Sequence, residues 1–158
     1  MGMTWDGRAL TAAETEALRA DPDRIWGLVD GPPPGSVDLD KAWHGIHWLL
    51  TGDPWGGPGP LGQVIFGGEG FGPDEGYGPP RLLDPAGVAA VAAALTGIRR
   101  EDLRSRFDPA AMSAAELYPD IWADPEVFDE YLGPNFDKLK AMYHHAAARD
   151  QWVLQWLH

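Results

Sequence analysis

The chain has 158 residues, 44% of them hydrophobic, no cysteine, and 24 acidic against 12 basic side chains, for a net charge of −12. That composition predicts one globular domain over 1–158 with a single core, and it excludes disulfides, thiolate metal sites and cysteine nucleophiles. The negative charge sets the chain against nucleic acid, whose phosphates it would repel, and no apolar run approaches the length of a membrane span.

No basic segment precedes an apolar one at the start of the chain, and Met1-Gly2 is followed at the serine/threonine position of a myristoylation signal by Asp6. A cytoplasmic protein is expected. Abundant alanine, glycine, proline, aspartate and arginine, with little lysine or asparagine, suggests a GC-rich bacterial source.

Leu10 to Ala20 opens on Thr11 and Glu14, a capping box in which hydroxyl and carboxylate each satisfy an end amide, so a helix is predicted. Asp21-Pro22 then starts a short helix with Ile25, Trp26 and Val29 on its apolar side. The Asp-Pro step recurs at Asp53, Asp84, Asp108 and Asp124, because aspartate caps a helix and proline suits its first turn. Gly31-Pro32-Pro33-Pro34-Gly35 reads as a stiff connector.

The stretch from Asp38 to Gly52 reads as one helix, with Asp38 as N-cap and Gly52 as left-handed stop. Leu39, Trp43, Ile46 and Leu50 share one side at the 3.6-residue period of a buried face. Asp40, His44, His47, Trp48 and Thr51 share the other, where neighbours three and four apart can touch. An aspartate beside an imidazole fixes its tautomer and raises its basicity, so His47 and His44 are candidate catalytic residues. A histidine beside tryptophans equally fits a packed residue bonded to a carbonyl. The two-residue gap in His44-Gly45-Ile46-His47 is a poor metal spacing, and no metal site is predicted.

From Gly52 to Pro80 the chain is rich in glycine and proline, interrupted by Gln63-Val64-Ile65-Phe66, which reads as a short buried strand. The glycines from Gly67 to Gly72 miss the spacing of a phosphate cradle, and Asp74 and Glu75 bring the wrong charge. Such a loop instead brings Glu69 and Tyr77 toward the central helix, so that Glu69, His44, His47, Tyr77 and Arg81 share a pocket mouth. Asp40, Trp48, Thr51, Tyr77 and Arg81 are the candidate ligand-binding residues.

Arg81 to Leu83 is a further strand candidate. Ala86 to Leu95 is an alanine-rich helix with Val88, Val91, Ala92 and Leu95 in register. Arg99, Arg100, Arg104 and Arg106, interleaved with Glu101 and Asp102, predict a solvated helix carrying ion pairs. A short helix from Asp108 and an extended aromatic connector, Tyr118 to Trp122, come next. A helix from Asp124-Pro125 is expected to break at Gly133-Pro134 before a last one striped by Phe136, Leu139, Tyr143 and Ala146. Trp152 to Leu157 is a terminal strand with Trp152 and Trp156 on one face. Together these predict an α/β fold, a small mixed sheet surrounded by helices.

Several of these pieces resemble the YfbM-like bacterial proteins. They are Met1-Gly2-Met3, the run from Asp38 to Gly52, Gly57-Pro58-Gly59-Pro60-Leu61-Gly62, Ile65 to Glu69, Gly76 to Arg81, and Tyr118-Pro119-Asp120-Ile121-Trp122. The resemblance implies a three-layer (αβα) sandwich and carries no established activity. The family has a longer apolar strand after Met-Gly-Met, whereas here Thr4-Trp5 runs into Asp6-Gly7-Arg8, which implies a first strand that is short or absent.

Among the readable motifs there is no catalytic triad, nucleophile elbow or Walker motif, and no cofactor signature. A non-catalytic binding or inhibitory module is therefore expected, immunity-like toward a basic partner such as a toxin, or else binding a small molecule, as a monomer or homodimer. The rival is a small hydrolase or transferase with His47 as general base, oriented by Glu69 or Asp40.

Overall fold

The computed structural model describes residues 2–25, 27 and 35–158. Trp26 and Val29 of the expected second helix, and the prolines of the stiff connector, lie outside them.

The first strand, β1, runs Trp5–Leu10, so the short or absent strand implied by the resemblance is corrected. It needs no continuous apolar run, because its faces differ. Trp5 and Ala9 point into the main core, while Arg8 and Asp6 on the thinner side are held by Glu14 and His158. Helix α1, Ala12–Ala20, follows with the predicted capping box formed in full: Glu14 N–H donates to Thr11 Oγ1 and Thr11 N–H to Glu14 Oε1.

Asp38 does not cap a helix; it ends strand β2, Ser36–Asp38, opposite Asp6 of β1. Leu39 and Asp40 continue that pairing, Leu39 N–H donating to Trp5 O and Trp5 N–H to Asp40 O. Asp38 Oδ1 accepts from Asp40 N–H at 2.6 Å, a side-chain turn that helps carry Asp40 to a positive φ of 48°. Helix α2 therefore begins only at Trp43 and runs to Thr51, with Gly52 as the expected left-handed stop at φ 73°.

Gln63–Phe66 is not a strand but a single helical turn, α3. Four apolar residues are too few to show a period, and the turn's carbonyls are taken by side chains instead of a ladder. Trp5 Nε1 donates to Ile65 O at 3.0 Å, and the buried Tyr143 hydroxyl to Val64 O at 2.6 Å. Strands β3, Glu69–Gly70, and β4, Arg81–Leu83, enclose the rest of the glycine-rich loop.

Helices α4, Pro85–Thr96, α5, Arg100–Arg106, and α6, Pro109–Ala114, start where predicted; Asp84 and Asp108 cap α4 and α6 through Gly87 N–H and Ala111 N–H. Arg99, just before α5, pairs with the interleaved Asp102 as expected, whereas Arg100 and Arg104 reach carboxylates of later segments, Asp137 and Asp129, and Arg106 donates to Leu49 O. Gly133-Pro134 is no break. A wide turn over Phe128–Leu132 leads directly into helix α7, Gly133–Ala147, with Pro134 in its first turn, where a missing N–H costs nothing. Strand β5, Trp152–Leu157, closes the chain.

The sheet order is β2-β1-β5-β4-β3, and every pairing is antiparallel rather than mixed. One face carries the main core of α2, α4 and α7, with Trp43, Ile46, Val91, Leu95, Phe136 and Tyr143 all buried. The other is covered by α1: Leu10, Leu82, Leu154 and Trp156 pack with Leu18 and Ile25. The result is an α/β sandwich with one thick and one thin helical layer. Among the described residues no helix is long and apolar enough to cross a membrane.

Candidate functional site

The two histidines of the polar stripe expected on α2 do not reach the surface, whereas Trp48 and Thr51 are half-buried and Asp40 is exposed. His44 and His47 are both 0% exposed, because loop and helix cover the side of α2 opposite the core. His44 accepts from Tyr118 N–H at Nδ1 (2.9 Å) and lies 2.8 Å from Pro54 O at Nε2. Since an amide can only donate and a carbonyl only accept, the ring is neutral with its proton on Nε2. Burial pushes its pKa below the usual imidazole range, against the opposing pull of the Pro54 carbonyl. His44 is thus a structural tie between the 53–56 loop and the 118–119 segment.

His47 is buried against Phe66, ring centroids 4.7 Å apart, and neither of its nitrogens has a hydrogen-bond partner among the described residues. Burial lowers its pKa too. The Gly56 backbone, close without completing a bond of ordinary geometry, and the Asp53 charge offset part of this.

Asp40 does not orient either imidazole. It lies outside the helix and accepts from the Tyr131 hydroxyl at 2.6 Å. Glu69 sits on the thin side of the sheet, lining a groove with Arg19, Leu82 and Trp152. Trp48 and Thr51 flank a separate depression with Leu61 and Arg106. The expected meeting of Glu69, His44 and His47 with Tyr77 and Arg81 is therefore corrected: only the last two come together. No three His, Asp or Glu side chains among the described residues could share a metal ion.

Tyr77 and Arg81 line a cavity of about 270 Å³ at the end of β4, with Trp5, Trp55, Phe66 and Gln155 among its walls. β4 stops at Arg81, opposite Gln155, whereas β5 continues to Leu157, paired only with β1; the cavity fills the notch. The large hydrophobic side chains exposed among the described residues are Trp55 (60%) and Tyr77 (43%), and both line it.

Each of these rings is carried on a turn organised by an aspartate. Asp53 Oδ1 accepts from Trp55 N–H (2.8 Å) and Gly56 N–H (2.7 Å), bonds that hold its carboxyl below the usual range. Asp74 Oδ1 accepts from Gly76 N–H (2.7 Å) and Gly78 N–H (3.0 Å), on either side of Tyr77. The Trp55 ring also leans on His44 (4.4 Å between centroids) and Phe66 (6.1 Å). So the buried histidine helps hold an exposed aromatic in place.

Among the described residues no aspartate or glutamate lines the cavity, and the one charged side chain there is Arg81. Arg81 Nη1 donates to Gly68 O at 3.2 Å, and no carboxylate among the described residues pairs with it. Gln155 Nε2 donates to Gly67 O at 2.5 Å; its Oε1 is sealed from solvent with no partner among the described residues, so it is floor rather than contact group. Sequence reading missed Trp55, Phe66 and Gln155. The available signal was a tryptophan placed just after an Asp-Pro turn in a glycine-rich loop, and a glutamine at an inward position of an otherwise apolar strand.

Fold and cavity together define an α/β sandwich domain with an aromatic, singly cationic pocket in its sheet-edge notch. The chain belongs to the family described as Domain of unknown function (DUF1877), whose model matches residues 1–156. It is similar to the solved structure of YfbM from Escherichia coli, a protein of unknown function. The TM-score is 0.76 at 20% identity, covering 98% of this chain and 99% of that one. No functionally curated protein matches the sequence.

Proposed function

We propose that this protein is a non-catalytic binding module whose cavity takes a small molecule. The observation that carries the reading is the convergence of Trp55 and Tyr77, both exposed, on one concave site. Leaving large apolar rings in water is unfavourable, and rings held in place by capped turns around a cavity lose little freedom when a ligand covers them. Of the two occupants expected from the sequence, a basic partner finds a repelling guanidinium at this site, so the small ligand is the better supported. Acid–base chemistry at His47 loses its support with the burial of that ring.

Ligand-observed NMR with a library of ring-sized compounds tests the reading. Hits should compete for one site, lose their signal in Trp55→Ala, and be recovered chemically unchanged. A library without hits, or hits indifferent to Trp55→Ala, would remove it.

A further inference from the structure

We infer that the ligand of this cavity is a small, flat monocarboxylate, its carboxylate taken by Arg81 and its ring covered by Trp55 and Tyr77. This rests on the cavity being a binding site.

The charge comes first. Arg8, Arg24, Arg99, Arg100 and Arg104 each hold a carboxylate of this acidic chain. Arg19, Arg106 and Arg149, like Arg81, hold none among the described residues but lie outside this cavity. Arg81 holds only the Gly68 carbonyl, through one nitrogen, which leaves most of its planar fork free for a two-point contact with an oxyanion. No second cation among the described residues lines the cavity, so a single negative charge is matched there and a doubly charged phosphate ester is not. The surplus charge would stand in a chain already at −12.

Shape comes next. A cavity of about 270 Å³ is small against the roughly 300–1,000 Å³ of ordinary ligand sites, which suits a ring-sized acid and leaves out nucleotides and peptides. Its walls include the rings of Trp5, Trp55, Phe66, Tyr77 and Trp156, a lining that favours a flat, polarisable body over a saturated one. Gln155 is a positioning residue. Its amide holds Gly67, and the neighbouring Gly68 carbonyl holds Arg81.

The test is calorimetric titration of the full chain with indole-3-carboxylate, indole-3-carboxamide and cyclohexanecarboxylate at low salt. The aromatic acid should bind about tenfold or more tighter than either of the others. Arg81→Lys, which keeps the charge and loses the fork, should weaken the acid and leave the carboxamide unchanged. Equal binding of acid and carboxamide would overturn the assignment of an anion while leaving the cavity a binding site. Equal binding of the two acids would overturn the flat body in the same way. If neither indole binds and Trp55→Ala alters nothing, the cavity reading falls with the inference. The wild-type comparisons stand even if Arg81→Lys does not fold.

Discussion

Arg81 and Gln155 face one another across the β4–β5 ladder and are fastened to adjacent carbonyls of one loop, Arg81 to Gly68 and Gln155 to Gly67. Residues directly opposite in an antiparallel pair have side chains within contact range. A cation and an amide are thereby held side by side at the end of a strand, by a loop that has almost no side chains of its own.

That loop depends on Gly68. Its φ is +104°, and a Cβ there would sit 2.6 Å from the backbone carbon of Leu82. Gly68→Ala should cost about 2 kcal/mol or more, since both the dihedral and the approach are closed to a side chain. Urea denaturation measures the loss. If the alanine were tolerated within a few tenths of a kcal/mol, the described packing of loop on strand would be wrong.

The two histidines of α2 should respond unequally to apolar replacement. His44→Leu strands the Tyr118 N–H and the Pro54 carbonyl, at about 2–4 kcal/mol. His47→Leu strands no partner of ordinary hydrogen-bond geometry among the described residues, only the nearby Gly56 backbone, and should lie within about 1 kcal/mol of wild type or above it. The comparison is between midpoints of chemical denaturation. A large loss in His47→Leu would reveal a partner for that ring.

A pH dependence follows from the same burial. Both imidazoles are held below their ordinary range in the folded chain. The unfolded chain therefore binds more protons once the pH falls below about 6.5, so stability is full above that value and is lost on acidification. Each histidine contributes a slope of up to about 1.4 kcal/mol per pH unit. Stability measured between pH 7.5 and 5.5, above the carboxylate range, should fall in wild type and fall less steeply in His47→Leu. Parallel curves would show that His47 titrates normally.

Close packing of α2 makes a fourth case. A Cβ on Gly45 would meet Cη2 of the fully buried Trp122 at 2.7 Å and Leu132 at 3.1 Å. Alanine gains about 1 kcal/mol of helix propensity over glycine, but overpacking a core costs about 1–3 kcal/mol. Gly45→Ala should therefore melt lower than wild type, as followed by circular dichroism. A raised melting temperature would mean that Trp122 has room to move.

Much of the local structure was legible in the sequence because its causes are local. Thr11 and Glu14 meet within one turn, Asp84 and Asp108 cap the helices that follow them, Gly52 stops α2, and the stripe Phe136, Leu139, Tyr143 and Ala146 is buried at helical spacing. The family too was legible, from motifs spread along the chain. The candidate site was legible only in Tyr77 and Arg81. What tertiary structure decided was which polar residues meet water. The periodicity of α2 marks one face that must be buried, but a second covering layer, the 53–66 segment, arrives from later in the chain and seals the histidines of the other. It also turned Gln63–Phe66 into a helical turn, by giving its carbonyls to Trp5 and Tyr143, and it brought Trp55 beside Tyr77 and Arg81. Those partners lie far apart along the chain, and no spacing rule within one segment encodes a contact between segments.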